Sequence, residues 1–86
     1  MDIEWESRAL RQLRRIDMKD QDTIVDAVDQ LQEWPNCLNV KALVGQSGRY
    51  RLRVGRYRVI FSVADVVVVE EVKKRDERTY KASNHS

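Results

Sequence analysis

Arg49, Arg51, Arg53 and Arg58 are the side chains of this sequence best suited to chemistry, and the group they suit is a phosphate. A guanidinium presents a planar fork of donors that meets two oxygens at once, and it keeps its proton inside proteins. Three of the four stand at alternate positions in Arg49-Tyr50-Arg51-Leu52-Arg53-Val54. The fourth lies in Tyr57-Arg58-Val59-Ile60-Phe61-Ser62. Period-two alternation of this kind is that of a strand with one buried face. Gly55-Arg56 between the two runs predicts a hairpin closed by a type II′ turn, which needs a positive φ at its first position. The register that follows sets Val54 against Tyr57, Leu52 against Val59 and Tyr50 against Phe61, all on a core face. The other face receives the four arginines with Ile60 and Ser62, and Arg53 falls directly opposite Arg58. Two like charges so placed repel by about 1 kcal/mol in water. Selection for stability alone disfavours that pairing, whereas an anionic partner on the face accounts for it. A solvated face, or a docking surface for a protein, is the plainer alternative.

Other candidates are weaker. A second basic run, Lys73-Lys74-Arg75-Asp76-Glu77-Arg78-Thr79-Tyr80-Lys81, is expected to leave the last strand close to the arginine face. Arg8, Arg11, Arg14 and Arg15 form a third cluster, read as a solvated helix face. Cys37 is the only cysteine, so no internal disulfide forms, and no Cys/His set exists for zinc. His85, the lone histidine, reads as part of a frayed tail at 82–86.

The chain bounds what these groups can serve. Eighty-six residues predict a single domain, 1–86, with a small core that buries roughly 60% of the unfolded surface. A partner on an open surface is favoured over a small molecule in an enclosed pocket. Net charge is only +2, but residues 1–34 carry nine acids against five bases, and residues 35–86 carry eleven bases against five acids. That asymmetry suggests a polyanion site on the C-terminal half. The acidic N-terminus has no apolar signal region and no run reaches membrane-spanning length, so a cytoplasmic location is expected.

Around these groups, Ile3 and Trp5 alternate with acids and predict a short first strand. Ser7 is a candidate N-cap for a helix whose apolar stripe is Leu10, Leu13 and Ile16. Asp20 or Asp22 is the candidate cap of a second helix with Ile24, Val25, Val28 and Leu31 inward, ended by Trp34-Pro35. Their short link predicts an antiparallel helix hairpin. Trp5 and Trp34 read as packing residues. Asn36 to Gly48 reads as a connector anchored by Leu38, Val40 and Leu43, with turns at Gly45 and Gly48. After the hairpin, Val66 to Val69 predicts an interior strand continuing to Val72, and a two-residue turn at Ala64-Asp65 would place Glu71 across from Arg58. The fold class is α+β in the order β-α-α-β-β-β. A helix pair covers one face of a small, mainly antiparallel sheet, and the arginine face stays open.

The pattern Leu43-x-Gly45, then Tyr50-Arg51-Leu52-Arg53-Val54-Gly55-Arg56-Tyr57-Arg58-Val59-Ile60-Phe61, then a valine strand, Lys74-Arg75 and a late Tyr80, resembles the RelE/ParE toxin superfamily of bacterial toxin–antitoxin modules. The likeness is greatest to its RelE branch and runs from Ile3 to about Lys81. It implies a RelE-like microbial RNase fold and a ribosome-dependent endoribonuclease that cuts mRNA in the 30S A site without a metal or other cofactor. A cognate antitoxin would neutralise it. The ribose 2′-OH would attack the adjacent phosphate, giving a 2′,3′-cyclic phosphate and a free 5′-OH. By the same resemblance, Arg53, Arg58, Arg75 and Tyr80 are the expected catalytic residues. Arg49, Arg51, Lys73, Lys74, Arg78 and Lys81 are the expected contacts to RNA and ribosome.

Two departures bear on mechanism. RelE-type relatives often have lysine where this chain has Arg51 and Arg53, and an arginine cannot act as a general base. Asp76, Glu77, Tyr80 or the ribosome would have to take the proton. Arg75 and Tyr80 are also one residue closer together than in the RelE prototype. A ParE-like poison of DNA gyrase, or a non-catalytic module that only binds an antitoxin, are the alternatives on the same fold.

Overall fold

The computed structural model describes residues 1–75. In chain order these form β1 (Ile3–Trp5), α1 (Ser7–Arg14), α2 (Met18–Asp29), a 3-10 turn (Gln30–Glu33), β2 (Val40–Ala42), β3 (Arg49–Val54), β4 (Tyr57–Val63) and β5 (Val67–Lys74). The strands make one sheet in the order β1-β5-β4-β3-β2. Only β1 and β5 pair in parallel; the other neighbours are antiparallel. The α+β architecture is as expected, with one strand more than the sequence suggested.

That extra strand, β2, lies in the stretch read as a connector. Three residues are too few to show a period, and the strand exists because β3 templates it, with Val40 against Leu52 and Ala42 against Tyr50. Just before it, Asn39 has φ 63° and redirects the chain, so Leu38 points away and is 85% exposed rather than an anchor. Val40 and Leu43 are half-buried, as anchors should be.

The β3–β4 hairpin has the expected register throughout, from Arg49↔Ser62 to Val54↔Tyr57. Its turn follows from Gly55, whose φ of 56° an L side chain adopts only with strain. The next connection differs from expectation. Val63 pairs with Val67, so the β4–β5 turn holds three residues. A bulge then shifts the ladder again: Phe61 faces Val69 but Ile60 faces Glu71, leaving Glu70 as the extra residue. The two single-residue shifts add, and Arg58 faces Lys73, not Glu71.

Both helix starts also fall earlier than the cap residues suggested. Glu6 is the N-cap of α1 and Ser7 its first helical residue, because the Glu6 N–H is still bonded to the Val69 carbonyl at 2.9 Å as the chain leaves the sheet. Asp17 caps α2 through its carbonyl, which accepts the Gln21 N–H at 2.9 Å. Asp20 is instead taken by the Tyr57 hydroxyl, which donates to its Oδ2 at 2.8 Å. The helices run antiparallel, as their contacts show. Near its start α2 meets Tyr57, and beyond its end Trp34 meets Phe61, so it follows β4; α1 follows β5 from Val69 to Val72, and β5 opposes β4.

Between helices and sheet lie Ala9, Leu13, Ile24, Val28 and Leu31 against Leu52, Val54, Val59, Phe61, Val67, Val69 and Val72. Trp34 closes one end, edge-on to Tyr50 and Phe61 with ring centroids 4.6 and 5.6 Å away. Both tryptophans are packing residues, as expected. Since β1 pairs β5 only as far as Val69, the edge of β5 beyond it is completed by α1: Gln12 Oε1 accepts the Val72 N–H at 2.7 Å.

Candidate nucleic-acid interface

The helices cover one side of the sheet, and the register assigns the other. Arg53 and Lys73 flank Arg58 in a single row across β3, β4 and β5. The adjacent row is Lys41, Arg51, Ile60 and Glu71 across β2 to β5. The next is Arg49, Ser62 and Val68. Neighbouring strands sit about 4.8 Å apart, so the row of three cations spans about 10 Å.

Two carboxylates interrupt this surface, and the bulge puts both there. Arg49 donates from Nε and Nη2 to Glu70 Oε1 at 3.0 and 2.7 Å, and from Nη1 to Gln46 Oε1. Arg8 Nη2 donates to Glu71 Oε1 at 3.0 Å, and Lys73 Nζ lies 3.2 Å from the same oxygen. In an unbroken ladder, consecutive residues point to opposite faces; the extra residue lets Glu70 and Glu71 share one. Arg49 is thereby tied down. Arg51, Arg53 and Arg58 have no ion-pair partner among the described residues. The Arg58 Nε is shut off from solvent and has no hydrogen-bond acceptor among them. A desolvated donor of this kind costs free energy until an acceptor arrives.

The remaining expected residues are placed elsewhere. Lys74 pairs with Tyr57 and lines an open cleft of about 480 Å³ with Gln12, Arg15, Asp17 and Asp20, away from the arginine row. Arg75 is exposed, its N–H donating to the Arg56 carbonyl at 2.7 Å. Arg78, Tyr80 and Lys81, with Asp76, Glu77 and the tail including His85, lie outside the described residues. Sequence reading missed the Arg8–Glu71–Lys73 cluster and Lys41. The signal for the first was present: the inward valines fall at 67, 69 and then 72, a break in the two-residue period that marks an inserted residue. Among the described residues no cluster of His, Cys, Asp and Glu is arranged to hold a metal ion.

Sheet order and helix pair together match a class already known. The family described as ParE toxin of type II toxin-antitoxin system, parDE, matches residues 3–79. The isolated E. coli RelE toxin superposes with a TM-score of 0.76 at 22% identity, over 98% of this chain and 96% of that one. The archaeal RelE–RelB complex from Pyrococcus horikoshii gives 0.73 at 24% identity, over 86% and 93%. The chromosomal ParDE system from P. aeruginosa gives 0.72 at 18% identity, over 87% and 96%. No protein of curated function is significantly similar to the chain. The chain belongs to the ParE toxin family of type II toxin–antitoxin systems, within the RelE/ParE superfamily.

Proposed function

We propose that this toxin is a ribosome-dependent mRNA endonuclease, held inactive by a cognate antitoxin. The observation that carries the reading is the row Arg53–Arg58–Lys73, whose two arginines have no ion-pair partner among the described residues. A phosphodiester laid across the row would accept hydrogen bonds from the guanidinium groups of Arg53 and Arg58. The 2′-OH then attacks the adjacent phosphorus, the P–O5′ bond breaks, and a 2′,3′-cyclic phosphate and a 5′-OH result. Negative charge grows on the non-bridging oxygens during attack, and fixed guanidinium groups stabilise it more than they stabilise the ground state. Arg53 and Arg58 hold and neutralise; neither moves a proton. Both carboxylates on the face are already ion-paired, so the base is sought in Asp76, Glu77, Tyr80 or the ribosome.

Several solved relatives are toxin–antitoxin complexes, among them RelBE2 from Mycobacterium tuberculosis. An acidic antitoxin segment lying on Arg51, Arg53 and Arg58 would block this face. The test is induced expression of wild type and Arg58→Ala without the neighbouring antitoxin frame, with RNA ends mapped. Arg58 lies off the core face, so the variant is expected to fold, to permit growth and to leave transcripts whole; wild type is expected to cut inside reading frames. Intact transcripts in arrested wild-type cells would overturn the reading. The family description and the ParDE neighbour favour one alternative, a poison of DNA gyrase. It predicts an SOS response and gyrase-linked DNA breaks with uncut mRNA.

A further inference from the structure

Helix α1 carries Arg8, Arg11 and Arg14, followed by Arg15, and no acid from Ser7 to Arg14. Arginines three and four residues apart are neighbours on a helix and repel, and Arg8 in the first turn opposes the helix dipole. The acids of the neighbouring helix do not relieve this: among the described residues no ion pair joins α1 to α2. The one ion pair that α1 makes among them runs instead to the open face of the sheet, from Arg8 to Glu71, whose other cation is Lys73. By the 3.6-residue repeat, Arg8, Arg11 and Arg15 fall on one side of α1, the side that carries Gln12 to the edge of β5; Arg14 turns away. Arg15 then meets Arg56 and Lys74 around the cleft, opposite Asp17 and Asp20.

We propose that the RNA surface does not end with the sheet: from the row Arg53–Arg58–Lys73 it turns around the β5 edge on to the Arg8–Arg11–Arg15 stripe of α1, where a further stretch of phosphodiester backbone rests. This rests on the nuclease reading and extends it. Two features choose this occupant, the run of arginines on α1, of which Arg8 alone is ion-paired among the described residues, and its continuity with the row through Arg8, Glu71 and Lys73. A helix face of this kind grips backbone and reads no sequence. It sets affinity and orientation, while the open face does the cutting.

The experiment titrates the purified full chain with a fluorescent single-stranded RNA oligonucleotide over a range of KCl concentrations. It compares wild type, Arg11→Gln/Arg15→Gln and Arg53→Gln/Arg58→Gln. The same proteins are titrated with the antitoxin, and folding is checked by thermal unfolding. The α1 double variant is expected to keep its fold and its antitoxin affinity and to lose RNA affinity several-fold. It is also expected to flatten the slope of log K against log salt by about 1.4, roughly 0.7 for each phosphate no longer neutralised. If that variant binds RNA like wild type while Arg53→Gln/Arg58→Gln does not, the extension falls and the nuclease face stands. Should wild type bind no RNA, the extension falls, while the ribosome-dependent nuclease reading is decided separately by the mapped RNA ends. Loss of antitoxin binding with RNA binding unchanged would overturn the proposal in favour of a protein-docking helix.

Discussion

Tyr57 fastens the hairpin to the helices through a single hydroxyl. Its ring is buried, and its O–H donates to Asp20 Oδ2 at 2.8 Å. That hydrogen bond, with burial and the Asp20 charge added and Arg56 opposing, raises the phenol above its ordinary value of 10.0. A raised value means the contribution is full below the unfolded value and is lost as pH climbs through the folded one. Tyr57→Phe should therefore cost about 1–2 kcal/mol at neutral pH and blunt the alkaline loss of stability, read by urea unfolding on both sides of pH 10. Cys37 is a second case. Burial, and then Glu33, push its thiol up, and its S–H donates to the Gln30 carbonyl at 3.6 Å. Alkylation near neutral pH should be slower than for free cysteine in a timed iodoacetamide assay. At this scale the sequence was informative wherever one turn set the partners. Gly55 fixes the hairpin, so Arg53 opposite Arg58 could be read off directly. Glu71 lies beyond a second turn and a bulge, and its neighbours could not.

Among elements, the join between α1 and β5 carries the most consequence. A strand would ordinarily satisfy the Val72 N–H, and here a glutamine side chain does so across sixty residues of sequence. Gln12→Leu strands that donor and should cost about 1–3 kcal/mol in chemical denaturation, with secondary structure unchanged by circular dichroism. Gln12→Glu, which keeps an acceptor, should cost less. No local pattern announces such a bond, because Gln12 looks like any polar helix residue. The missed β2 has the same origin: its ladder belongs to β3, and three residues carry too little period of their own. The caps were misjudged because tertiary bonds, Glu6 to Val69 and Asp20 to Tyr57, overrode the local side-chain preferences.

For the molecule as a whole, the core is small and leans on a few large side chains. Phe61 is fully buried, stacked on Tyr50 at 5.6 Å and edge-on to Trp34. Phe61→Ala should remove about 3–5 kcal/mol, a large share of the 5–15 kcal/mol typical of a native domain, and lower the melting temperature accordingly. The division of charge along the chain pointed correctly to cations on the C-terminal strands. The α1 arginines stand out in the sequence as a cluster, but the half-chain tally sets them against the acids of α2, and they read there as a solvated helix face. The extra residue in β5 bears on how such a chain tolerates changes in length. Excising Glu70 would let the strand close up into a regular ladder, with Ile60 still beside Glu71 and Arg58 still beside Lys73, and only the clasp on Arg49 would go. Excising Val68 instead would throw Val67 or Val69 out into water. One residue of β5 is thus expendable while its neighbours two positions away are not, and lineages descended from this toxin would be free to shorten there.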